Sequence, residues 1–565
     1  MKKKIVIAEY VSTGINLVYD VLSRGYEPVL LDCPYIAAEE DISYFTELRK
    51  SVKATLPEGL TIIEENHNYN EVLEQVKALN PLFVIAGSEF GVPYATRLAD
   101  DLGLPGNSQK NLKAMTEKDS MHEALKNYGI RYIRGKVIES LDEASSYYNE
   151  LGVKHVVVKR VRGVGTQGVY LCNGKDEMLH AVEKELAFSM KNGDEDMALL
   201  IQEQIIGKEY IVNTVSCNGK HRVTSMWVYN KTKLANGTNA YDNSQTINQL
   251  DVGLSKLVNY AYDVLDAIGI KYGPVHGEFM IDEKGPVLIE VNCRPMGAGL
   301  DRKFIEKLFG HHETDCALDA YLSPEKFEIE FNKPYRPLRK GAIKDIILPN
   351  DTVAESTPAL PLCSRLRSYY RGFFGRVGRE LVITGTKDLE TSGGTIFMLH
   401  EDEKVVIDEC NLLHTIEMKY PDLMFQSLSN YAPDIKPERN IEKLLKEINH
   451  GGATLIYSDQ PMNIEGATVI NENELKTAYD SYEQGILDLS KSETFCDLEI
   501  IIQQIYQFAD KIREGGRIII PESTYCNLPY GIEGMEILLK IAGLTLECPR
   551  AGLGNVLIAS ACKKK

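Results

Sequence analysis

The chain has 565 residues, of which 44% are apolar and 25% are charged. These values are ordinary for a protein with buried cores, and the length is enough for three or four domains. The 63 basic and 81 acidic residues give a net charge of −18, which argues against broad binding to nucleic acid or to anionic membranes.

The spacing of the cysteines and the lengths of the apolar runs indicate in which cellular compartment we expect the protein. The eleven cysteines include no Cys-x-x-Cys pair, so we expect neither a disulfide framework nor a structural zinc site. No apolar run approaches the ~18 residues of a membrane span. The apolar stretch near the start is interrupted by Glu9 and is too short for a signal peptide. We therefore expect a cytoplasmic protein.

Strand-like and helix-like segments alternate over the first hundred residues. The strand patterns are residues 4–8, 28–32 and 82–87, and the helical patterns are residues 15–24 and 94–102. This alternation predicts a parallel, doubly wound sheet. The first turn, residues 9–14, lacks the Gly-x-Gly-x-x-Gly of dinucleotide sites. We therefore expect this sheet to be structural or to bind substrate, and not to hold a ribose on Asp32.

Gly163, Gly165 and Gly168 do form a Gly-x-Gly-x-x-Gly, after a strand-like run at 155–159. A dinucleotide site needs a helix after these glycines, but residues 169–172 are of strand type. There is no Gly-Lys-Ser/Thr either, so a Walker loop is excluded. The pattern predicts a glycine-rich hairpin whose N–H groups could cover a triphosphate, with Lys159 just before it.

Residues 276–282 and 286–292 predict a second hairpin, joined by a three-residue loop that ends in Gly285. Side chains alternate across a strand, so one face is apolar and the other is polar. The apolar face would carry Phe279, Ile281, Val287, Ile289 and Val291. In the predicted register Asp282 is opposite Pro286, Glu278 is opposite Glu290, and His276 is opposite Asn292.

Two carboxylates directly opposite each other repel unless a cation lies between them. Glu278, Glu290 and the amide of Asn292 are suitable ligands for Mg²⁺. The alternative is a solvated polar face with chance acids.

Taken in their order along the chain, the glycine-rich hairpin and the acidic hairpin resemble those of the ATP-grasp carboxylate–amine ligases, and the resemblance spans about residues 110 to 310. The matching segments include Thr116-Glu117-Lys118-Asp119, a hinge-like stretch at residues 201–210, and the Glu-x-Asn-x-Arg that ends at Arg294. The resemblance implies that the chain binds ATP together with Mg²⁺ or Mn²⁺. It also implies that the doubly wound region is the domain that usually precedes an ATP-grasp domain.

The resemblance implies a role for each matching residue. Lys118 and Lys159 would bind phosphates, and the glycine loop would close over them. Glu203 and the backbone at Ile206 would hold adenine, and Glu209 the ribose. The metal ligands would be Glu278, Glu290 and Asn292. Arg294 would stabilise the oxyanion formed when an amine attacks an acyl phosphate.

His276 and the stretch at residues 291–299 are most similar to the dipeptide-forming L-amino-acid ligases, in which the corresponding arginine and histidine face the substrate amino acids. The sequence departs from the commoner pattern at Cys293, Pro295 and Met296, so the substrates stay open. The biotin acceptor Met-Lys-Met and the basic stretch of biotin carboxylases are absent. The alternative for His276 is a buried, hydrogen-bonded histidine.

The sequence patterns of the last 240 residues are less specific for any one fold or function. Residues 323–361 are rich in proline and are expected to link or wrap. Five arginines and four aromatic residues lie between 365 and 379. In so acidic a chain we expect strands and turns near an anionic substrate there, rather than a nucleic-acid site. After a break at 433–437, the tail weakly resembles the back half of a class I methyltransferase, but Ser458 to Pro461 replace its glycine-rich turn.

We therefore predict an α/β protein of four parts. Residues 1–110 form a doubly wound domain, 111–325 a two-lobed α+β ATP-grasp domain with its lid at about 150–215, 326–432 the end of the ligase, and 433–565 a methyltransferase-like α/β domain without an S-adenosylmethionine site. The predicted activity is ATP-dependent joining of a carboxylate, which we expect to belong to an amino acid, to an amine, with release of ADP and phosphate.

The expected partners are small-molecule substrates, without nucleic acid or membrane, and a homodimer is compatible with the sequence. Two alternatives stay open. One is a bicarbonate-activating enzyme of the carboxylase or carbamoyl-phosphate-synthase type, and the other is a non-catalytic ATP-binding regulator.

Overall fold

The computed structural model describes residues 2–560 apart from 36–38, 162–168, 193–197, 235–238, 298, 354–362, 375–381, 388–390, 426–452, 459–463, 465, 478–481, 490–497, 522–523, 525–530 and 547–555. The predicted glycine loop at Gly163, Gly165 and Gly168 lies outside the described residues. The chain divides into two compact units, Met1–Asn230 with Ser244–Lys340, and Lys231–Asn243 with Gly341–Lys565. The four-part division stays a prediction.

The first unit begins with four parallel strands in the order β3-β2-β1-β4, as the alternation of elements predicts. Its elements are β1 (Lys4–Ala8), α1 (Ile15–Ser23), β2 (Glu27–Leu31), α2 (Glu39–Lys53), β3 (Thr61–Ile63), α3 (Tyr69–Leu79), β4 (Val84–Ala86) and α4 (Val92–Asp101). Asp32 is buried and accepts hydrogen bonds from Tyr10 Oη at 2.8 Å and Lys53 Nζ at 2.5 Å. These contacts give Asp32 a structural role.

A smaller antiparallel sheet follows, in the order β5-β8-β6-β7. The elements of this region are α5 (Leu112–Thr116), α6 (Lys118–Tyr128), β5 (Gly135–Ile138), α7 (Leu141–Leu151), β6 (Val156–Arg160), β7 (Tyr170–Cys172), α8 (Lys175–Asn192) and β8 (Leu199–Glu203). Strands β6 and β7 pair on either side of the glycine segment, so the prediction of a strand after the glycines is confirmed. One face of the sheet packs on α7 and α8 through Val156, Val158 and their neighbours.

A third sheet places β13, β12, β9 and β10 side by side in that order, with antiparallel pairing. The elements here are β9 (Lys208–Cys217), β10 (Lys220–Lys233), β11 (Asn239–Thr246), α9 (Val252–Ile268), β12 (Gly273–Asp282), β13 (Gly285–Asn292), α10 (Arg302–Phe309), α11 (Glu313–Leu322) and α12 (Pro324–Phe331). Phe279, Leu288 and Val291 belong to its core, together with residues of α9.

The hairpin of β12 and β13 differs from its predicted turn. Glu278 is opposite Glu290 and His276 is opposite Asn292, as predicted, but Asp282 is opposite Gly285, so the loop has two residues. A bulge at Ile289 restores the register. Leu288 therefore lies opposite Phe279 in the core, while Ile289 is half-buried. The predicted core position of Ile289 is wrong because the bulge shifts the alternation by one residue.

The second unit contains the remaining elements: β14 (Lys340–Ile346), β15 (Thr352–Val353), β16 (Tyr369–Phe373), β17 (Val382–Ile383), β18 (Gly394–His400), α13 (Glu403–Lys419), α14 (Asp422–Phe425), β19 (Thr454–Tyr457), β20 (Ala467–Ile470), α15 (Glu472–Leu475), β21 (Tyr482–Leu487), α16 (Leu498–Ala509), β22 (Ile512–Pro521), α17 (Gly531–Ile541), β23 (Thr545–Leu546) and β24 (Val556–Ser560). Strand β18 lies between β14 and β16. The tail forms a sheet in the order β20-β19-β21-β22-β24-β23, in which β24 runs antiparallel to its neighbours. The predicted α/β tail is thus present, and its likeness to methyltransferases stays a prediction.

A buried ion cluster lies inside the second unit. Lys344 of β14 is fully buried and places Nζ 2.6 Å from Glu417 and 2.8 Å from Asp242. Asp242, Glu417 and His414 lie close enough together to ligate one metal ion. The ammonium group of Lys344 bonds to both acids, and His414 Nδ1 lies 3.4 Å from Asp242, so side chains of the protein already partner the acids of the cluster. Among the described helices, none is long and apolar enough to cross a membrane.

Candidate active site

The polar face predicted for the hairpin of β12 and β13 forms as expected. His276 Nε2 lies 3.2 Å from Glu278 Oε1, and Asn292 donates Nδ2 to Glu290 Oε1 at 3.3 Å. The neighbouring strand β9 adds Glu209, which is opposite Met280 and buried. Alternation along three paired strands therefore brings the predicted metal ligands and the predicted ribose ligand to one face.

Two lysines approach this face from other elements. Lys118, the first residue of α6, lies with Nζ 3.0 Å from Glu290 Oε2. Lys159 of β6 is only 7% exposed. Burial and the nearby charge of Lys118 lower the pKa of Lys159 to about 8. Burial opposes ionisation of Glu290, but Lys118 and Lys159 outweigh it and hold the pKa of Glu290 at about 2.

This donor set fits a hard divalent cation. Glu278 and Glu290 offer carboxylate oxygens, and Lys118 and Lys159 favour the ionised form of Glu290. Asn292 gives its amide hydrogen to Glu290, so the amide oxygen is the atom that it would offer to an ion. Such oxygen ligands bind Mg²⁺ together with phosphates. The two lysines beside them would bind phosphate oxygens.

The hinge differs in detail from the predicted adenine site. Glu203 lies opposite Val156, whose side chain faces the helix-covered core of the small sheet. The carboxylate of Glu203 accepts hydrogen bonds from the backbone N–H and the guanidinium of Arg134 at 2.8–3.1 Å. Glu203 and Ile206 line one cavity together with Arg134, and the predicted role of Glu203 toward adenine stays a prediction. Ile206 is 70% exposed, and its backbone role stays a prediction.

His276 is buried and both ring nitrogens are engaged. Nδ1 lies 2.8 Å from Asn213 Oδ1, and Nε2 lies against Glu278. Asn213 in turn donates Nδ2 to Ser225 Oγ at 2.9 Å and to Met296 Sδ at 3.2 Å. The histidine thus has the contacts of a satisfied buried residue that supports Glu278. Its predicted contact with substrate stays a prediction.

Arg294 pairs with an acid that sequence reasoning missed. Its Nε lies 3.3 Å from Glu89 Oε2, and NH1 donates to the carbonyl of Pro295 at 3.1 Å. Burial raises the pKa of Glu89, although Arg294 opposes the shift. Glu89 follows β4 at the carboxyl edge of the parallel sheet, where α/β folds bind ligands, and that position was the available signal. Asp301, an acid close to Arg294 in the sequence, caps α10 by accepting Phe304 N–H.

Glu313 was also missed. It is the first residue of α11, and its Oε2 accepts the backbone N–H of Met296 at 3.0 Å, two residues beyond Arg294. Burial raises the pKa of Glu313 to about 8, and the charge of Arg294 only partly offsets the shift. Nothing in the local sequence marks this residue, because its partner lies in another loop.

The chemistry available here is that of phosphoryl transfer followed by acyl transfer. Two ammonium groups and a cation-binding pair of acids would neutralise phosphate charge, which is most of what such a transfer requires. A guanidinium held by an acid lies on the same side of the site and can bind a carboxylate or an oxyanion.

Comparison with known proteins agrees with this geometry. A family model for the ATP-grasp domain matches residues 153–300. Dapdiamide A synthase of Enterobacter agglomerans is 30% identical over 299 residues, which cover 52% of this chain and 70% of that protein. The carbamoyl phosphate synthase large chain of Thermotoga neapolitana is 24% identical over 305 residues, but these cover only 26% of its length.

Among solved structures, an L-amino acid ligase from Bacillus licheniformis superposes with a TM-score of 0.56 at 18% identity, covering 73% of this chain and 97% of that one. At this identity the likeness concerns the fold alone. The sequence relationship to dapdiamide A synthase extends over most of that relative. The chain therefore belongs to the ATP-grasp family, as an ATP-dependent, ADP-forming carboxylate–amine ligase.

Proposed function

We propose that this ligase joins the carboxylate of one amino acid to the amine of a second. The observation that carries the proposal is the convergence of Lys118, Lys159, Glu278, Glu290 and Arg294 on one site. Support for amino acids as substrates comes from the likeness in fold to an L-amino acid ligase and in sequence to dapdiamide A synthase.

In the first half-reaction Lys118 and Lys159 neutralise phosphate oxygens of ATP. Glu278, Glu290 and Asn292 would hold Mg²⁺, and the bound ion would supply further neutralisation of phosphate charge. A carboxylate oxygen of the substrate attacks the γ-phosphorus, and the bond to the β-phosphate oxygen breaks. The products of this step are an acyl phosphate and ADP.

In the second half-reaction the amine of the other amino acid attacks the acyl carbon. The carbonyl oxygen becomes an oxyanion, and Arg294, held by Glu89 at 3.3 Å, stabilises it. The amine loses a proton and phosphate leaves with the bonding electron pair, which completes the amide. Closing the lid over the acyl phosphate keeps water from hydrolysing it.

Two other activities differ in their products. A bicarbonate-activating enzyme would release phosphate from ATP with bicarbonate and without an amino acid. A non-catalytic regulator would bind ATP without turnover, and it would have no need of Arg294 beside the phosphate-binding residues.

The test is a phosphate-release screen of amino-acid pairs with ATP and Mg²⁺, with mass spectrometry of the products. We expect at least one pair to give a dipeptide together with equimolar ADP and phosphate. Release of phosphate that depends on bicarbonate alone, or binding of ATP without turnover for every pair, would contradict the proposal.

A further inference from the structure

A small cavity lies beside Asn213 and the loop that follows Arg294, and its walls combine polar side chains with the aliphatic side chains of Leu300 and Ile305. Its volume is about 20 Å³, room for one group of the size of water or ammonium. Its walls include Asn16, Asn213, Thr224, Ser225, His311 and Glu313. Asn213 also contacts His276 and Met296, so one wall residue of the cavity is shared with the candidate active site.

Two polar atoms on these walls lack both a hydrogen-bond partner and an ion-pair partner among the described residues. They are Glu313 Oε1 and Thr224 Oγ1, on side chains that are 8% and 2% exposed. Leaving such atoms unpaired costs free energy, so a donor that fills the cavity is favoured. The other oxygen of Glu313 is already used by Met296 N–H, which fixes the direction of the carboxyl group.

The cations on the walls are already neutralised by other groups. Arg302 lies 2.8 Å from Asp20, and His312 lies between Asp20 and Glu306, at 2.9 Å from each. Burial lowers the pKa of His311, whose Nε2 bonds with the carbonyl of Thr224. The guanidinium of Arg294 thus has two buried carboxyl groups near it, those of Glu89 and Glu313. Glu89 already pairs with it.

We propose that Glu313, assisted by Thr224, binds the α-ammonium group of the amino acid whose carboxylate is activated. The assignment rests on the proposed function and adds a recognition site to it. A zwitterion presents a carboxylate and an ammonium group a few ångströms apart, and Arg294 with Glu313 provides the complementary pair of charges. An ammonium group donates three hydrogen bonds, and it would satisfy both unpaired oxygens while ionising Glu313.

The test measures the acid half-reaction alone. Hydroxylamine replaces the second amino acid, attacks the acyl phosphate and gives a hydroxamate and phosphate. The probes are an amino acid that the enzyme activates and its des-amino analogue. In Glu313→Gln, an amide oxygen still accepts Met296 N–H, but the charge is lost. We expect KM for the amino acid to rise about 10- to 100-fold, with KM for ATP unchanged and with the analogue used as before.

Matched variants separate this role from a structural one. Asp315→Asn removes one charge from the same turn of α11, but Asp315 pairs with Arg24 outside the cavity, so we expect the wild-type preference for the amino acid. Thr224→Val removes the unpaired hydroxyl at constant shape and should reduce the preference less than Glu313→Gln. All three variants should unfold at the wild-type temperature within a few degrees.

Two outcomes overturn the assignment. If Glu313→Gln discriminates between the amino acid and its analogue as the wild type does, the cavity holds only water, and the proposed function stands because both proteins form hydroxamate. If the wild type forms no hydroxamate from any amino acid, the proposed function fails and the ammonium site fails with it.

Discussion

Lys118 places its ammonium group 3.0 Å from a carboxylate oxygen of Glu290, which faces Glu278 across two paired strands. The ammonium group of Lys118 thus relieves the repulsion between the two acids. Lys118 belongs to α6, and the small sheet of β5 to β8 lies between α6 and the two acids in chain order. The same lysine is a predicted ligand of phosphate. When ATP and a cation bind, Lys118 can turn from Glu290 to the phosphates without leaving the acid unneutralised.

The first prediction concerns the metal site. Glu290→Gln removes one charge from the proposed ligand set and should reduce turnover by about 10² at limiting Mg²⁺, equivalent to ~3 kcal/mol. Part of the loss should be regained at high Mg²⁺. The measurement is phosphate release as a function of Mg²⁺ concentration. Turnover within a few-fold of the wild type at low Mg²⁺ would remove Glu290 from the proposed ligands.

The second prediction separates acyl transfer from ATP binding. Arg294→Ala should leave the ATP affinity, measured by calorimetry, nearly unchanged while amide formation falls by about 10²–10³. Arg294→Lys should recover only part of the rate, because an ammonium group lacks the planar two-pronged donor geometry of guanidinium. If both variants keep normal turnover and lose only thermal stability, Arg294 serves merely as the partner of Glu89.

The third prediction uses the buried pair Asp20 and His312. Burial opposes ionisation of Asp20, but hydrogen bonds from His312 and its neighbours outweigh it and lower the pKa of Asp20. Burial likewise disfavours charged His312, but Asp20 outweighs it and raises the pKa of His312. The stabilisation is therefore complete between about pH 4 and 6.5, the ordinary values of the two groups. It is lost as the pH rises through the raised pKa of His312 or falls through the lowered pKa of Asp20.

His312→Asn should accordingly destabilise the first unit by about 1–3 kcal/mol at pH 5.5 and by less at pH 9. The single tryptophan, Trp227, is buried in this unit and reports its unfolding by fluorescence. An equal loss of stability at both pH values would show that the charge on His312 contributes nothing.

The fourth prediction concerns the buried cluster of the second unit. Lys344→Met removes the ammonium group that bonds to both Asp242 and Glu417 and leaves His414, 3.4 Å from Asp242, as their basic neighbour; it should cost ~3–5 kcal/mol in the free energy of unfolding. The double variant Lys344→Met with Glu417→Gln should recover part of that loss, because one of the two carboxylate charges is removed. Scanning calorimetry measures both variants. A single variant as stable as the wild type would contradict the assigned role of the lysine.

Much of the site was predictable because it lies on paired neighbouring strands. The strict alternation of side chains along β12 and β13 is enough to place His276, Glu278, Glu290 and Asn292 on one face. The strand that follows the glycine segment was predictable for a similar reason, since strand-forming residues occur where a nucleotide-binding helix would begin.

Alternation failed at Val287, which lies opposite Met280 on the face that carries Glu278, and at Ile289. A bulge inserts one residue there, and burial of Leu288 against Phe279 compensates for the shorter turn. Local sequence patterns do not reveal a bulge that offsets a shorter turn, because the benefit of the bulge comes from packing in the core. Outside the bulge, the amino-acid sequence by itself determined the order of elements, the polar face of the hairpin and the residue types available for phosphate and cation binding.

The tertiary structure alone decided how these groups are paired. Glu203 pairs with Arg134, and Arg294 pairs with Glu89. Glu313 accepts a hydrogen bond from the loop that follows Arg294. Each pair joins residues of different elements or loops, and no periodicity of sequence encodes which groups meet. That choice depends on which buried acids and cations come within a few ångströms of each other once the sheets have packed, because burial makes an unpaired charge costly and a paired one tolerable.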